Sequence, residues 1–283
     1  MTKLFNHIMV PVDFSDVSEL AIEKSIDIAN HFKCNIHLVF TETPGLFSKH
    51  SGHLFSSLSG VPADAEARLV RLQNQYTDQL NQGLSIHSCI RQGNKNRSVI
   101  DYARRHRIDL VMVGRGATMV DNMFNRGFNI NEITKGVKCP VITIREETGQ
   151  DAWLNIVLPV CSALPIRKIM FASYLARKYN SRIHLLSIAG DENNQDADGN
   201  QYLHKSYQLL RENTNIHVEC HTMRGHNIAE ATMRFAEKIN ADLIVVNPGK
   251  ETMLSGVVNK LFKGFLFNES KIPVMTISTA GIS

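Results

Sequence analysis

Two groups of residues in this chain have the types and spacing to hold a small ligand. Asp13 closes the apolar run Ile8-Met9-Val10-Pro11-Val12 and is followed by Phe14-Ser15-Asp16 and a helical pattern. A second apolar run, Leu110-Val111-Met112-Val113, ends in Gly114-Arg115-Gly116-Ala117-Thr118, and Arg126-Gly127-Phe128-Asn129 precedes another helix. A carboxylate at a strand-to-helix turn either accepts a hydrogen bond from an amine or a ribose hydroxyl or ties the turn to its own backbone, and Asp13 suits both roles. Ser15 or Asp16 is placed to cap the helix that follows. Glycine permits close backbone approach and a helix amino terminus offers free N–H groups, so the segments around Gly114, Gly116 and Gly127 could together cradle a phosphate. There is no P-loop lysine motif and no G-x-G-x-x-G after the first run.

Other reactive residue types carry less. His217, Glu219 and His221 alternate on one face of a strand with Cys220 on the other, and His50 and His53 sit in a long loop. Zinc requires three or four converging ligands with outer support. An edge strand whose polar face meets water is the plainer reading, so no metal ligand is assigned and a metal-responsive protein stands only as an alternative. Cys161, between a strand and a helix start, has the placement of an activated thiol, but with no histidine fixed beside it small-residue packing is the better reading. No Ser-His-Asp set, nucleophile elbow or usefully spaced carboxylate pair can be assigned, so no catalytic residue is named.

The elements that must position these residues occur twice. Ile8-Met9-Val10-Pro11-Val12 returns as Ile156-Val157-Leu158-Pro159-Val160, Asp109-Leu110-Val111-Met112-Val113 as Asp242-Leu243-Ile244-Val245-Val246, and Cys139-Pro140-Val141-Ile142-Thr143-Ile144 as Ile272-Pro273-Val274-Met275-Thr276-Ile277. Matched blocks in one order imply a duplicated domain, with halves at 1–147 and 153–283 joined by the polar stretch 146–152. Short β-branched runs alternating with helical patterns predict α/β domains with parallel sheets. The expected strands are 7–12, 35–40, 85–91, 109–113 and 141–145, then 155–160, 182–188, 215–223, 242–246 and 274–278. The expected helices are 16–32, 64–81, 96–107 and 129–136, then 163–179, 200–212, 226–239 and 260–270. Each half is thus a doubly wound five-stranded sheet, with its ligand crevice beyond the carboxyl ends of the strands where the winding reverses. The long connection 43–62 has the length of a lid.

Composition excludes several classes. With 43% hydrophobic residues and no apolar run long enough to cross a bilayer, the chain reads as soluble, and its start lacks a signal-peptide pattern, so a cytoplasmic location is expected. Five cysteines without a Cys-x-x-Cys read as reduced thiols. A net charge of +4 with scattered basic residues indicates neither a nucleic-acid nor a membrane partner.

The Pro-Val-Asp-Phe-Ser segment at Asp13, the strand ending at Gly114 and the closing strand Lys138-Cys139-Pro140-Val141-Ile142-Thr143-Ile144 together resemble the universal stress proteins, over both halves. That resemblance implies a Rossmann-like fold of the adenine nucleotide alpha hydrolase-like type, a stress-response binding or signalling role, and pairing through the last strands, Val141–Arg145 against Val274–Ser278. An internal pseudo-dimer or a homodimer would follow. In ATP-binding members an Asp ends strand one and a G-x-x-G, nine residues, G-[ST] pattern follows strand four. Asp13, Gly114 and Gly127 match it, while Ala117 takes the second glycine position with Gly116 one residue before, and Phe128 takes the hydroxyl position. Thr118 or Asn129 could compensate for the lost donor. In the second half Cys161, Asn247, Lys250, Lys260 and Leu261 occupy the corresponding positions, so ATP is expected in the first domain only, with an ATP-dependent switch or slow ATP hydrolase as the alternative.

Overall fold

The computed structural model describes residues 3–43, 64–116, 128–148, 153–161, 163–190, 197–254 and 265–278. Two compact units divide the chain, Met1–Cys139 and Pro140–Ser283.

In the first unit the order is β1 (His7–Val12), α1 (Asp16–Phe32), β2 (Asn35–Glu42), α2 (Ala65–Thr77), β3 (Ile86–Gln92), α3 (Lys95–Arg105), β4 (Leu110–Gly114) and α4 (Ile130–Gly136). The strands lie β3-β2-β1-β4, all parallel, so the winding reverses beside β1. Residues 8–12 of β1 and 110–113 of β4 are buried on both faces, as expected of parallel strands covered by helices. α1 buries Val17, Ala21, Ile22, Ile28, Ala29 and Phe32 at helical spacing. Ser15 Oγ accepts the Ser18 N–H at its start, and Lys33, at φ 59°, closes its end by donating to Ala29 O. Each such cap contributes about 1 kcal/mol.

The second unit comprises β5 (Val141–Ile144), β6 (Asn155–Pro159), α5 (Ile166–Tyr179), β7 (Arg182–Ala189), α6 (Ala197–Asn213), β8 (Val218–Arg224), α7 (Ile228–Lys238), β9 (Leu243–Val246), α8 (Leu266–Glu269) and β10 (Val274–Thr276). Its strands lie β5-β10-β9-β6-β7-β8. All neighbours are parallel except β5 and β10, which are antiparallel with Met275 opposite Ile142 and Val274 opposite Thr143. Thr143 Oγ1 adds a hydrogen bond to Val274 O at 3.1 Å. The division between units therefore falls before β5 rather than in the stretch 146–152, giving four described strands in one unit and six in the other.

One repeated residue does the same work in both units. Asp109 Oδ2 accepts the N–H groups of Asn6 and His7 at 2.9 and 3.1 Å, and Asp242 Oδ2 accepts those of Leu154 and Asn155 at 3.0 and 2.7 Å. Each carboxylate thus pins the entry of one strand to the start of its neighbour, β1 to β4 and β6 to β9. The expected helix 64–81 stops at Thr77 because Asn30 of α1 captures the chain beyond it, donating to Gln79 O at 2.9 Å and accepting the Asn81 N–H at 2.7 Å. β8 begins at Val218 rather than residue 215, since Thr214 folds back on α6, its Oγ1 donating to Leu210 O at 2.7 Å. Of the expected helix 260–270, Leu266–Glu269 is helical within the described residues. The expected lid, 43–62, lies outside them apart from Thr43, as do His50, His53 and Lys260.

Candidate functional site: two strand-end crevices

In the first unit, Asp13 follows the end of β1 and Gly114 ends the adjacent β4, so the topology brings these two residues to one crevice. Asp13 is exposed, and its Oδ1 accepts the Ser15 N–H at 3.1 Å and the Ser15 hydroxyl at 2.6 Å. That is the turn-stabilising role; Oδ2 takes no hydrogen bond from a described residue. Between them Phe14 adopts φ 64°, a left-handed conformation that is costly for a bulky residue. Its ring is held against Phe40 at 4.8 Å, and the Arg68 guanidinium lies 4.4 Å above it. Packing thus holds the backbone turn that presents Asp13.

Gly114 has a structural reason of its own. A Cβ there would stand 2.3 Å from Val17 O and 2.7 Å from Ser18 N, so the first turn of α1 lies directly on the end of β4. Two residues on, Gly116 is half-buried. Arg115 Nη1 donates to Phe128 O at 3.4 Å, tying the segment after β4 to the approach to α4. Phe128 is buried, so the ring at the hydroxyl position packs inward and offers no donor. Asn129 is the cap of α4: its side chain accepts the Glu132 N–H at 3.2 Å, and its own N–H donates to Asn96 Oδ1 at 2.9 Å. Its side-chain oxygen is therefore committed to the helix. Ala117, Thr118 and Gly127 lie outside the described residues.

The matching crevice of the second unit carries an internal ion pair. Cys161, Pro165, Lys168, Asn247, Lys250 and Glu251 line a cavity of about 530 Å³ at the ends of β6 and β9. Lys168, fully buried, points its Nζ at both Glu251 oxygens, 2.7 and 2.8 Å away, and also donates to Pro159 O. The same carboxylate accepts the Asn247 N–H at 2.7 Å. A glutamate thus takes the backbone donor and the cation that would otherwise meet an anionic ligand. Burial, with the Glu251 charge beside it, pushes the Cys161 thiol up to about 12, partly offset by Lys168 and Lys250, so Cys161 is no activated nucleophile. The ion pair escaped the sequence analysis, which named Lys250 and Lys260 at the corresponding positions and assigned no role to Lys168.

The histidine face of β8 also differs from expectation. Glu219 and His221 share a face, with His217 just before the strand, but water is not its sole neighbour. His184 of β7 stands opposite Glu219, and the Phe235 ring of α7 lies 4.7 Å from that of His221.

Parallel-dominated, doubly wound sheets with a crevice at the strand ends define a Rossmann-like α/β architecture. Residues 4–145 match the universal stress protein family, and the chain belongs to that family. It is 24% identical over 148 residues to a universal stress protein of Methanocaldococcus jannaschii, covering 50% of this chain and 84% of that one. A universal stress protein structure from Archaeoglobus fulgidus superposes with a TM-score of 0.69 at 14% identity, covering 97% of this chain and 98% of that one. A functionally unknown protein from Pseudomonas aeruginosa gives 0.63 at 15% identity, over 97% and 92%. These structural likenesses establish the fold. Among the described residues no helix is long and apolar enough to cross a membrane.

Proposed function

We propose that this chain is a tandem universal-stress-type protein acting in a cytoplasmic stress response, with one adenine-nucleotide site, in the first unit. The reading takes the sequence halves 1–147 and 153–283 as copies of one domain, paired through β5 and β10 as an internal pseudo-dimer. The observation that carries it is the difference between the two crevices. Aligned from their left-handed helix caps, Lys33 and Asn180, Lys168 falls opposite the buried Ala21; aligned from Asp109 and Asp242, Glu251 falls opposite Thr118. The first unit therefore lacks both members of the ion pair at the second crevice.

The described residues fit the nucleoside part of such a ligand. Asp13 offers a carboxylate oxygen to a ribose hydroxyl or an adenine amine, and Gly114 lies where strand, helix and turn converge. Phosphate contacts would fall to the segment containing Gly116, Ala117 and Gly127, with backbone N–H groups as donors. The nucleotide would serve as a signal, bound or released, with no residue assigned to hydrolysis.

Calorimetric titration with ATP, alongside native mass spectrometry, tests this. One nucleotide per chain is expected, with affinity reduced at least tenfold in Asp13→Ala. Asp13→Asn separates charge from turn geometry, because its side-chain oxygen can still accept the Ser15 N–H. Two nucleotides per chain would contradict the assignment of a single site, in which Glu251 has taken the donors of the second crevice, and no binding in the wild type would contradict the nucleotide reading.

A further inference from the structure

β7 and β8 bring three potential ligands to one point in the second unit. His184 Nδ1 and His221 Nε2 are 3.1 Å apart, and Glu219 Oε2 lies 3.5 Å from each. Ligand atoms about 2.0–2.1 Å from a tetrahedral zinc ion stand roughly 3.3–3.4 Å from one another. The observed triangle has the dimensions of one face of that tetrahedron.

The surroundings orient all three groups. Asn155 Oδ1 lies 3.3 Å from His184 Nε2; with the proton on that nitrogen, His184 donates to Asn155 and turns the Nδ1 lone pair toward the triangle. A metal-bound histidine ordinarily has such a partner behind it. His217 Nε2 and Arg182 Nε hold the other carboxylate oxygen, Oε1, at 3.1 and 3.3 Å, leaving Oε2 to the triangle. His184 is buried, whereas the side chains of His221 and Glu219 are 28% and 35% exposed, so an ion can enter from solvent.

We propose that His184, Glu219 and His221 form a site for a borderline divalent transition ion, with zinc as the type, and a fourth position open to solvent. With the His184 proton on Nε2, a proton placed on His221 Nε2 would have two lone pairs to serve, those of His184 Nδ1 and Glu219 Oε2. A cation satisfies all three ligands at once, and the His221 proton moves to its Nδ1. Asn155 opens β6, whereas the Lys168–Glu251 crevice lies past the other end of that strand, so the two sites are separate.

The test uses the full chain without an affinity tag, stripped of metal and titrated with Zn²⁺ by calorimetry and with Co²⁺ by visible spectroscopy. One ion per chain and the intense visible bands of tetrahedral Co²⁺ are expected. Glu219→Gln and His221→Gln, both at partly exposed positions, should each weaken binding at least tenfold. Asn155→Ala should weaken it by about 10–100-fold through loss of the orienting bond. Trp153, the single tryptophan, is buried in this unit and its emission reports whether each variant remains folded. No saturable binding in the wild type would overturn the proposal. So would undiminished binding in the folded Glu219→Gln/His221→Gln double variant, which would put the ion on other histidines among the twelve.

Discussion

Lys168 Nζ and Glu251 Oε2 stand 2.7 Å apart at a strand end, the lysine side chain fully buried and the glutamate 15% exposed. Removing one member leaves the other as an uncompensated charge in a low-dielectric site, a change that costs on the order of 3 kcal/mol. Lys168→Met should therefore destabilise the second unit by about that amount. Urea unfolding followed by Trp153 emission reads this unit directly. Lys168→Met with Glu251→Leu should recover part of the loss, because no buried charge remains and only the Asn247 N–H and Pro159 O lose a partner. A single variant as stable as the wild type would mean that the pair contributes nothing to the fold.

The contrast between this pair and Asp13 explains what could be read from sequence. Asp13, Ser15 and Asn129 act on backbone groups two or three residues away, so their local spacing already exposes their roles as turn and cap residues. The strand blocks repeat with Asp109 and Asp242 at matching places, and the pinning role of these two follows from that position. Lys168 meets Glu251 across 83 residues, and His184 meets His221 across 37. No local period marks either pairing; each depends on the register of neighbouring elements. Gly114 was legible as a place of close approach, but the approaching group is the backbone of α1, supplied by packing nearly 100 residues away in the chain.

Gly114 offers a direct probe of that packing. A Cβ placed 2.3 Å from Val17 O meets backbone, which cannot rotate aside, so α1 must move off the end of β4. Overpacking of this kind costs about 1–3 kcal/mol. Gly114→Ala should lower the melting temperature of the first unit, measured by far-UV circular dichroism, and weaken nucleotide binding because Asp13 and α1 share the displaced turn. A melt indistinguishable from wild type would show that the helix yields without cost.

His37 should make the first unit acid-sensitive. Its ring is buried, with His37 Nδ1 2.9 Å from Tyr102 Oη and His37 Nε2 3.0 Å from His7 Nδ1. Burial, reinforced by His7, His87 and His106, lowers it from 6.5 to about 4. As pH falls below about 6.5 the unfolded chain gains a proton that the folded chain refuses, so stability declines and levels off below about 4. At about 1.4 kcal/mol per pKa unit, the loss reaches roughly 3 kcal/mol at most. An NMR titration of the His37 ring should give a midpoint near 4, and His37→Gln should flatten the acid limb of first-unit stability. A midpoint near 6.5 would remove this explanation.

The antiparallel β5–β10 junction is an apolar contact in the second unit. Met275 and Ile142 face each other in register and both are fully buried, so a lysine at position 275 would bring an unpaired ammonium into the centre of the β5–β10 pair. An ionised group placed there without a partner is too costly to be accommodated in place. Met275→Lys should therefore separate β5 from β10 or unfold the unit, removing the cooperative Trp153 transition and exposing β5 and the chain beside it to protease. Met275→Leu conserves volume and should cost less than about 1.5 kcal/mol. If the lysine variant instead kept both the transition and the protection of β5, the pairing would contribute little to stability, and the proposed pseudo-dimer would need another source of cohesion.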